Sequence, residues 1–230
     1  MRRPRIKIAP SILNADILDL RRAVKSVERG GADLIHVDVM DGHFVPNLSM
    51  GAGVVRSLRR ATRIPIDVHL MVTDPAKHVD EFLKAGAGNI TFHVEAKGDE
   101  RGLLRRIKRR GARASLSLKP LTPVGRLRGL LRMVDMVLLM TVEPGWGGQP
   151  FMRSMLSKIR ALRRMADDMH LPLDIEVDGG LTANTVQSAV SAGANVIVSG
   201  AAIFKSRDPG LAVKRLRQIA TGAVPCVGGP

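Results

Sequence analysis

Short runs rich in β-branched and aliphatic residues alternate with longer amphipathic segments along this chain. The runs predict strands at 6–9, 34–39, 66–71, 90–94, 114–118, 136–140, 173–178 and 195–199. The intervening segments predict helices near 16–29, 51–61, 75–85, 100–110, 123–132, 152–168, 182–192 and 209–220. A doubly wound open sheet would carry a G-x-G-x-x-G turn after its first strand, but PSILNAD stands there. The alternation therefore predicts an α/β fold, a (β/α)8 or TIM barrel in a single domain.

The ends of the chain set the expected domain boundary. We expect residues 1–221 to form the barrel and residues 222–230 to be a disordered tail. Hydrophobic residues make up 45% of the chain, yet no apolar run is long enough to cross a membrane. The single cysteine, Cys226, cannot form an internal disulfide, and MRRPR leads into the first strand without an apolar signal segment. These features predict a cytoplasmic protein.

The formal net charge of +15 raises the question of a nucleic-acid partner. Most arginines fall in the predicted helices, where an exposed outer face accounts for them. Aromatic residues make up only 3% of the chain and none is tyrosine, so side chains that could stack on bases are scarce. We therefore expect neither nucleic acid nor membrane as the main partner, and an anionic small-molecule substrate instead.

Polar residues gather where the predicted strands end. Because side chains alternate along a strand, those of His36, Asp38 and Met40 share one face of the second strand. Active sites of such barrels form at the carboxyl ends of the strands. Four side chains from three strands should meet there: His36, Asp38, His69 and Asp178. Two imidazoles and two carboxylates suit a divalent transition metal, with Zn²⁺ first and Fe²⁺, Mn²⁺ or Co²⁺ as alternatives. His93, within the fourth predicted strand, is expected to be an ordinary core residue.

Methionines and glycines also mark the strand ends. Three methionines are expected to form an apolar floor beside the metal: Met40, Met71 and Met140. Glycine clusters follow the last three strands, as GWGGQ at 145–149, Gly179-Gly180 and Gly200-Ala201. Glycine allows the close backbone approach that a bound phosphate needs, and the loops after strands seven and eight commonly bind phosphate in these barrels. The glycine pattern predicts a phosphate site.

Motifs spread over nearly the whole chain resemble those of the ribulose-phosphate 3-epimerase family. They are APSIL (9–13), HVDVMDGHFVPN (36–47), DVHLMV (67–72), FHVEA (92–96), TVEPGWGGQPF (141–151), EVDGG (176–180) and SGAAIF (199–204). The resemblance implies a barrel enzyme, an isomerase, that interconverts D-ribulose 5-phosphate and D-xylulose 5-phosphate in carbohydrate metabolism, in a pathway of the pentose phosphate or Calvin cycle type.

The resemblance also implies roles for individual residues. His36, Asp38, His69 and Asp178 would bind the metal, and Asp38 and Asp178 would also be the acid and base. Ser11 and His69 would touch the sugar. A further set would line the substrate and its phosphate: Gly145, Trp146, Gly147, Gly148, Asp178, Gly179, Gly180, Gly200 and Ala201.

Strand order gives a reason for two aspartates. Strands two and seven lie three steps apart in an eight-strand ring, roughly 135° around the barrel. Asp38 and Asp178 can therefore flank a flat intermediate. Inversion of a carbon beside a carbonyl needs a proton removed from one face and returned to the other, through an enediolate that a metal would stabilise. We predict that one aspartate removes the C3 proton and the other donates a proton on the opposite face.

The chain departs from the family's usual pattern at three places. Trp146 replaces a usual Phe, which changes the bulk of the loop. Ala201 replaces a usual Ser, so any hydroxyl contact with phosphate is lost there. LNADIL replaces the commoner LSADF, which affects packing behind Ser11.

Three alternatives stay open at the level of sequence. The nearest is a related ketose-phosphate 3-epimerase, such as D-allulose 6-phosphate 3-epimerase. The second is a barrel lyase or synthase such as a hexulose-phosphate synthase, and the third is a basic, non-catalytic binding protein. A homo-oligomer is expected, although no partner face can be identified from the sequence.

Overall fold

Eight parallel strands form the centre of the structure, a computed structural model that describes residues 4–223. In chain order they are β1 (Lys7–Pro10), β2 (Ile35–Met40), β3 (Ile66–Met71), β4 (Asn89–His93), β5 (Arg113–Leu118), β6 (Met136–Met140), β7 (Asp174–Asp178) and β8 (Val196–Ser199). They pair in the order β1-β8-β7-β6-β5-β4-β3-β2, and a parallel bridge between Ser11 and His36 joins β1 to β2. The predicted single-domain (β/α)8 barrel is confirmed. Within the expected tail, residues 224–230 lie outside the described part of the chain.

Helices surround the barrel. They are α1 (Leu20–Arg29), α2 (Ala52–Ala61), α3 (Val79–Ala85), α4 (Glu100–Arg109), α5 (Met155–Asp168), α6 (Val186–Ala192), α7 (Ala201–Phe204) and α8 (Pro209–Ala220). One predicted helix was wrong: residues 123–132 contain two short 3-10 turns, Val124–Leu127 and Leu131–Met133. Gly125 and Gly129 interrupt the apolar pattern there, and glycine disfavours a helix interior by about 1 kcal/mol. No helix among residues 4–223 is long and apolar enough to cross a membrane.

The two faces of each strand differ in character. Outward-facing residues such as Ile35, Val37 and Val39 belong to the main hydrophobic cluster that packs against the helices. Many inward-facing residues are polar and fully buried, as Thr91 and Ser115 are. The barrel interior can therefore hold polar chemistry, because the apolar layer outside it supplies most of the burial that favours folding.

An ion-pair cluster closes the amino-terminal end of the barrel. The Asp174 carboxylate lies 2.7 Å from Lys7 Nζ and 2.6 Å from Arg113 Nη2, and it accepts a hydrogen bond from Asn195. Burial alone would raise the pKa of Asp174, but hydrogen bonds from Lys7, Arg113 and Asn195, together with the charge of Lys7, hold it below its usual value. The cluster lies at the end of β7 opposite Asp178, so it stabilises the barrel without touching the predicted site.

Asp174→Asn is expected to lower the free energy of unfolding by about 1–3 kcal/mol, because two part-buried cations lose their counter-ion. The lowered pKa means that the wild-type protein loses this stabilisation as the pH falls below the unfolded-chain pKa of about 4. Urea unfolding at neutral and acidic pH measures both effects. The difference in stability between wild type and variant should shrink at acidic pH; an equal difference at both would contradict the assignment.

Candidate active site

The four predicted ligands come together at the carboxyl ends of β2, β3 and β7. One donor atom from each lies within 4.8 Å of those of the others: His36, Asp38, His69 and Asp178. Asp38 Oδ1 lies 3.1 Å from His69 Nδ1 and 3.3 Å from His36 Nε2. Asp178 Oδ2 lies 4.0 Å from both of these nitrogens. Nitrogen and oxygen donors grouped in this way could hold one divalent cation.

Strand register explains why these side chains meet. Asp38 pairs with His69 across β2 and β3, and His36 pairs with Asp67. All four residues point into the barrel, since they follow the same alternation as their neighbours. Asp178 reaches the group from β7. The imidazoles are fully buried, whereas the Asp178 side chain is 16% exposed and opens into the cavity above.

The His36 ring provides a direct test of whether the group fits a cation. Its Nδ1 lies 2.8 Å from Asp67 Oδ2, so Nδ1 carries the hydrogen and donates it. Its Nε2 is buried and has no hydrogen-bond partner among the described residues. Leaving a buried acceptor unpaired is costly, and a metal ion would use that lone pair. The donor set therefore fits a divalent cation.

The electrostatics of the group lead to the same conclusion. Burial opposes a charge on His36, but the carboxylates of Asp38 and Asp67 outweigh it and raise the pKa of His36. Surroundings that favour a proton on an imidazole also favour a metal cation. Burial likewise opposes ionisation of Asp38, yet the neighbouring imidazoles of His36 and His69 lower its pKa strongly.

Asp178 differs from Asp38. Burial, followed by repulsion from the Asp38 carboxylate, raises the pKa of Asp178 to about 6. Two nearby carboxylates with opposite pKa shifts are typical of an acid and base pair. A bound cation would lower the pKa of Asp178, because positive charge favours the ionised form.

Ser11 holds Asp38 in place. The Ser11 hydroxyl donates a hydrogen bond of 2.7 Å to Asp38 Oδ2, which leaves Oδ1 directed at the two imidazoles. Ser11 also lines the cavity, as a sugar contact requires. Its hydroxyl hydrogen is, however, committed to the carboxylate.

A cleft of about 140 Å³ lies above the four residues and is open to solvent. Its walls include most of the predicted substrate and floor residues: Ser11, Met40, Met71, Met140, Gly145, Trp146, Gly147, Gly148, Gly179, Gly180, Gly200 and Ala201. Asp38 and Asp178 face the cleft, whereas His36 and His69 are not among its lining residues. The two carboxylates are thus the polar groups from the cluster that a substrate would meet.

Two glycines after β7 are required by the backbone. Gly179 has φ 115° and Gly180 has φ 70°, in the left-handed region that favours glycine. A Cβ on Gly179 would lie 2.4 Å from Val142 Cγ2, and one on Gly180 would lie 2.3 Å from Phe151 N. Local packing therefore explains both glycines by itself, and the phosphate role predicted for them stays a prediction.

Several residues beside the site were not predicted from the sequence. Asp67 orients His36, and the fully buried Glu176 lies 3.6 Å from His36 Nδ1. Burial, then the charge of Asp67, raises the pKa of Glu176 well above its usual value, which favours a neutral acid. Asp67 and Glu176 each stand two positions before a predicted ligand, so the alternation of side chains along a strand could have predicted that they face the barrel interior.

Asn14 was missed for a different reason. Its side chain lines the cleft and lies between Gly147 and Gly200. A Cβ added to Gly147 would lie 2.9 Å from the Asn14 amide, and one added to Gly200 would lie 2.3 Å from Asn14 Oδ1. The turn that places it there, Ile12–Asn14, follows from the Ser11 cap and is not visible in the apolar pattern. The departure LNADIL therefore includes a residue of the cleft wall, and its effect on the packing behind Ser11 stays a prediction.

His93 is buried, as expected of a core residue, but it also contacts a predicted ligand. Its Nε2 lies 2.9 Å from His69 Nε2, and its Nδ1 lies 3.1 Å from Glu95 Oε2. Burial lowers the pKa of His93 to about 4. The interpretation of His93 as ordinary core filler was therefore incomplete.

The chain is similar to known proteins along most of its length. Residues 7–204 match the model of the ribulose-phosphate 3 epimerase family. The cytoplasmic isoform of ribulose-phosphate 3-epimerase from Oryza sativa subsp. japonica is 48% identical over 221 residues, covering 94% of this chain and 95% of that protein. Ribulose-phosphate 3-epimerase from Bacillus subtilis is 45% identical over 213 residues, covering 92% of this chain and 98% of that one.

Solved structures with less sequence similarity share the fold. 3-Hexulose-6-phosphate synthase from Salmonella typhimurium superposes with a TM-score of 0.67 at 17% identity, covering 95% of this chain and 100% of that one. Thiamine phosphate pyrophosphorylase from Pyrococcus furiosus gives a TM-score of 0.66 at 15% identity, covering 95% of this chain and 97% of that one. At these identities the similarity concerns the barrel alone.

Proposed function

This chain belongs to the ribulose-phosphate 3-epimerase family, and we propose that it interconverts D-ribulose 5-phosphate and D-xylulose 5-phosphate by proton transfer at C3. It is an epimerase, of the isomerase class. The observation that supports the mechanism is the position of two carboxylates, Asp38 from β2 and Asp178 from β7, which meet at one cluster and both line the same cleft.

We assign the two carboxylates different starting forms. In one direction of the reaction, Asp38, with its lowered pKa, is the base that accepts the C3 proton, while the C–H electron pair moves to form the enediolate. Asp178, with its raised pKa, gives its proton to C3 from the opposite face, and the carbonyl at C2 is restored. The reverse reaction exchanges the two roles. Asp178 faces the cleft, so exchange with water can return both residues to their starting forms.

The metal belongs to the proposal as well. His36, Asp38, His69 and Asp178 would hold one divalent cation, for which Zn²⁺ is our first choice and Fe²⁺, Mn²⁺ and Co²⁺ are alternatives. When bound, the cation supplies positive charge that stabilises the negative oxygens of an enediolate. Asp67 keeps the His36 lone pair directed inward, and Ser11 keeps Asp38 Oδ1 directed at the imidazoles.

The substrate phosphate is proposed to lie at the other end of the cleft. Gly179, Gly180, Gly200 and Ala201 offer backbone N–H groups at the ends of β7 and β8. Ala201 has no hydroxyl to add. The Asn14 side chain lies between Gly147 and Gly200, with its Oδ1 toward Gly200. Its NH₂ group has no hydrogen-bond partner among the described residues, so we propose that this group donates to the substrate.

Asn14→Ala is expected to raise KM about 10-fold while kcat stays unchanged, because one hydrogen bond to a charged group is lost away from C3. Asn14→Asp should raise KM further, since a carboxylate repels phosphate. Steady-state kinetics on both variants test this. A fall in kcat with unchanged KM would contradict the placement of Asn14 at the phosphate end.

A coupled assay that compares D-ribulose 5-phosphate with D-allulose 6-phosphate tests the proposed substrate. We expect a higher kcat/KM for the pentulose phosphate; the opposite preference would favour the alternative epimerase. Incorporation of solvent deuterium at C3 without cleavage of a carbon–carbon bond separates both epimerases from a lyase or synthase. A protein that turns over neither sugar phosphate would contradict the proposal.

Location and assembly complete the proposal. We propose that the enzyme is cytoplasmic, because one relative is named a cytoplasmic isoform. We propose a homo-oligomer, since Leu18 is 95% exposed and Leu48 is 76% exposed, and apolar side chains this open are favourable when covered. Light scattering coupled to size-exclusion chromatography measures the oligomeric state, and a monomer would contradict the proposal.

A further inference from the structure

The two ring nitrogens of His69 face different partners. Nδ1 points to the proposed metal site, 3.1 Å from Asp38 Oδ1. Nε2 lies 2.9 Å from the Nε2 atom of His93, on the neighbouring strand β4. His93 Nδ1 lies 3.1 Å from Glu95 Oε2. Glu95, His93 and His69 thus form one hydrogen-bonded line that ends at the metal site.

This line specifies where the protons lie. Glu95 is a carboxylate acceptor, so the hydrogen on His93 is at Nδ1. With the hydrogen of the His93 ring at Nδ1, its Nε2 offers a lone pair toward His69. A short contact between two imidazole nitrogens needs one hydrogen, so the hydrogen comes from His69 Nε2. The remaining lone pair of His69 is therefore at Nδ1, where a metal would accept it.

Neighbouring groups fix the orientation of the line. Glu95 Oε1 accepts the backbone N–H of Lys119 at 2.9 Å, so its other oxygen is left to face His93. The Phe44 ring packs on the His93 ring with centroids 4.8 Å apart. His93 is thus held between a fixed acceptor and an apolar cover.

We propose that Glu95 and His93 are positioning residues that hold His69 in the form able to bind a metal through Nδ1. The proposal rests on the proposed metal-dependent function and extends it to residues that do not touch the metal. His36 uses the opposite arrangement, because its Nδ1 donates to Asp67 and its Nε2 faces the metal site. Each histidine therefore offers a different nitrogen, and a different carboxylate sets the choice.

Glu95→Gln is the sharpest test, because it keeps the size of the side chain and reverses the direction of the hydrogen bond with His93. The oxygen of the new amide would still accept the Lys119 N–H, so the NH₂ group would face His93. His93 would then accept at Nδ1 and donate from Nε2, and His69 would carry its hydrogen at Nδ1. Zinc affinity, measured by competition with a chromophoric chelator, is expected to fall about 10- to 100-fold.

His93 variants provide the matched comparison. His93→Gln keeps an amide oxygen that can accept from His69 and an NH₂ group that can donate to Glu95, so it should bind zinc nearly as well as wild type. His93→Leu removes both contacts and should lose about 10- to 100-fold in affinity. His170→Asn, at an exposed histidine with φ 56°, controls for loss of any histidine. A purely structural role would not separate the two His93 variants, nor respond to Glu95→Gln.

The outcomes distinguish this proposal from the proposed function. If wild type binds zinc and Glu95→Gln binds it equally well, the positioning role is wrong and the metal site stands. If His93→Gln and His93→Leu lose affinity equally, the hydrogen-bond account is also wrong. A wild-type protein that binds no divalent metal would overturn the metal site and this proposal together. Nitrogen-15 NMR of the zinc-loaded protein should show His69 protonated at Nε2; protonation at Nδ1 would contradict it.

Discussion

Asp178→Asn is expected to lower kcat at least about 100-fold, because removal of a general acid or base typically slows an enzyme by 10²–10⁴-fold. The substitution keeps the size of the side chain, so the cleft is preserved. An amide cannot give its proton to C3 or accept one from it. Asp38→Asn should have an effect of similar size, since proton removal and proton return are both needed for inversion.

The two variants should differ in proton exchange. Each variant keeps one of the two carboxylates. In D₂O, exchange of the C3 hydrogen for deuterium should therefore survive for at most one of the two sugar phosphates. The sugar phosphate that still exchanges should differ between the two variants. Asp174→Asn is the matched control, because it makes the same change at the other end of β7 and should leave kcat unaltered. Metal content must be measured on every preparation, since both residues are also proposed ligands. If either variant keeps more than about a hundredth of the wild-type rate, that residue is not an essential acid or base.

The strands could be predicted from sequence to within about one residue. Each strand has β-branched and aliphatic residues at least at every second position and lies between turn residues, and this pattern is typical of a strand. The segment 123–132 has the apolar spacing of a helix, but the sequence pattern cannot weigh Gly125 and Gly129 against that spacing. Two 3-10 turns are found instead.

The four clustered residues could be predicted because the alternation of a strand places every second side chain on one face. The supporting residues could not, because their roles depend on distances between strands. His93 shows this clearly: its sequence context is that of a core residue, yet strand pairing puts its Nε2 2.9 Å from His69 Nε2. Asn14 depends on a turn whose course the sequence pattern does not specify.

Removal of the metal by a chelator is expected to abolish most of the activity and to lower Tm. The cluster brings Asp38 and Asp178 to one site beside an imidazole nitrogen, His36 Nε2, that has no hydrogen-bond partner among the described residues. A metal at 100 times its Kd stabilises the folded protein by about 2.7 kcal/mol. Adding back Zn²⁺, Fe²⁺, Mn²⁺ or Co²⁺ one at a time, with Tm and kcat measured together, identifies which ions the site accepts.

In the chelated protein, the contribution of Asp178 to the free energy of unfolding should depend on pH in the direction opposite to that of Asp174. The pKa of Asp178 is raised from 3.8 to about 6 without a metal, so the folded state favours the protonated acid. The resulting stabilisation is complete below the unfolded pKa and is lost as the pH rises through about 6. Saturating metal should shift this dependence to lower pH, because a nearby positive charge favours the ionised form of Asp178. The Tm of His36→Leu, which lacks the Nε2 donor, should change little when metal is added. A wild-type Tm that changes with neither chelator nor metal would show that the four residues hold no cation.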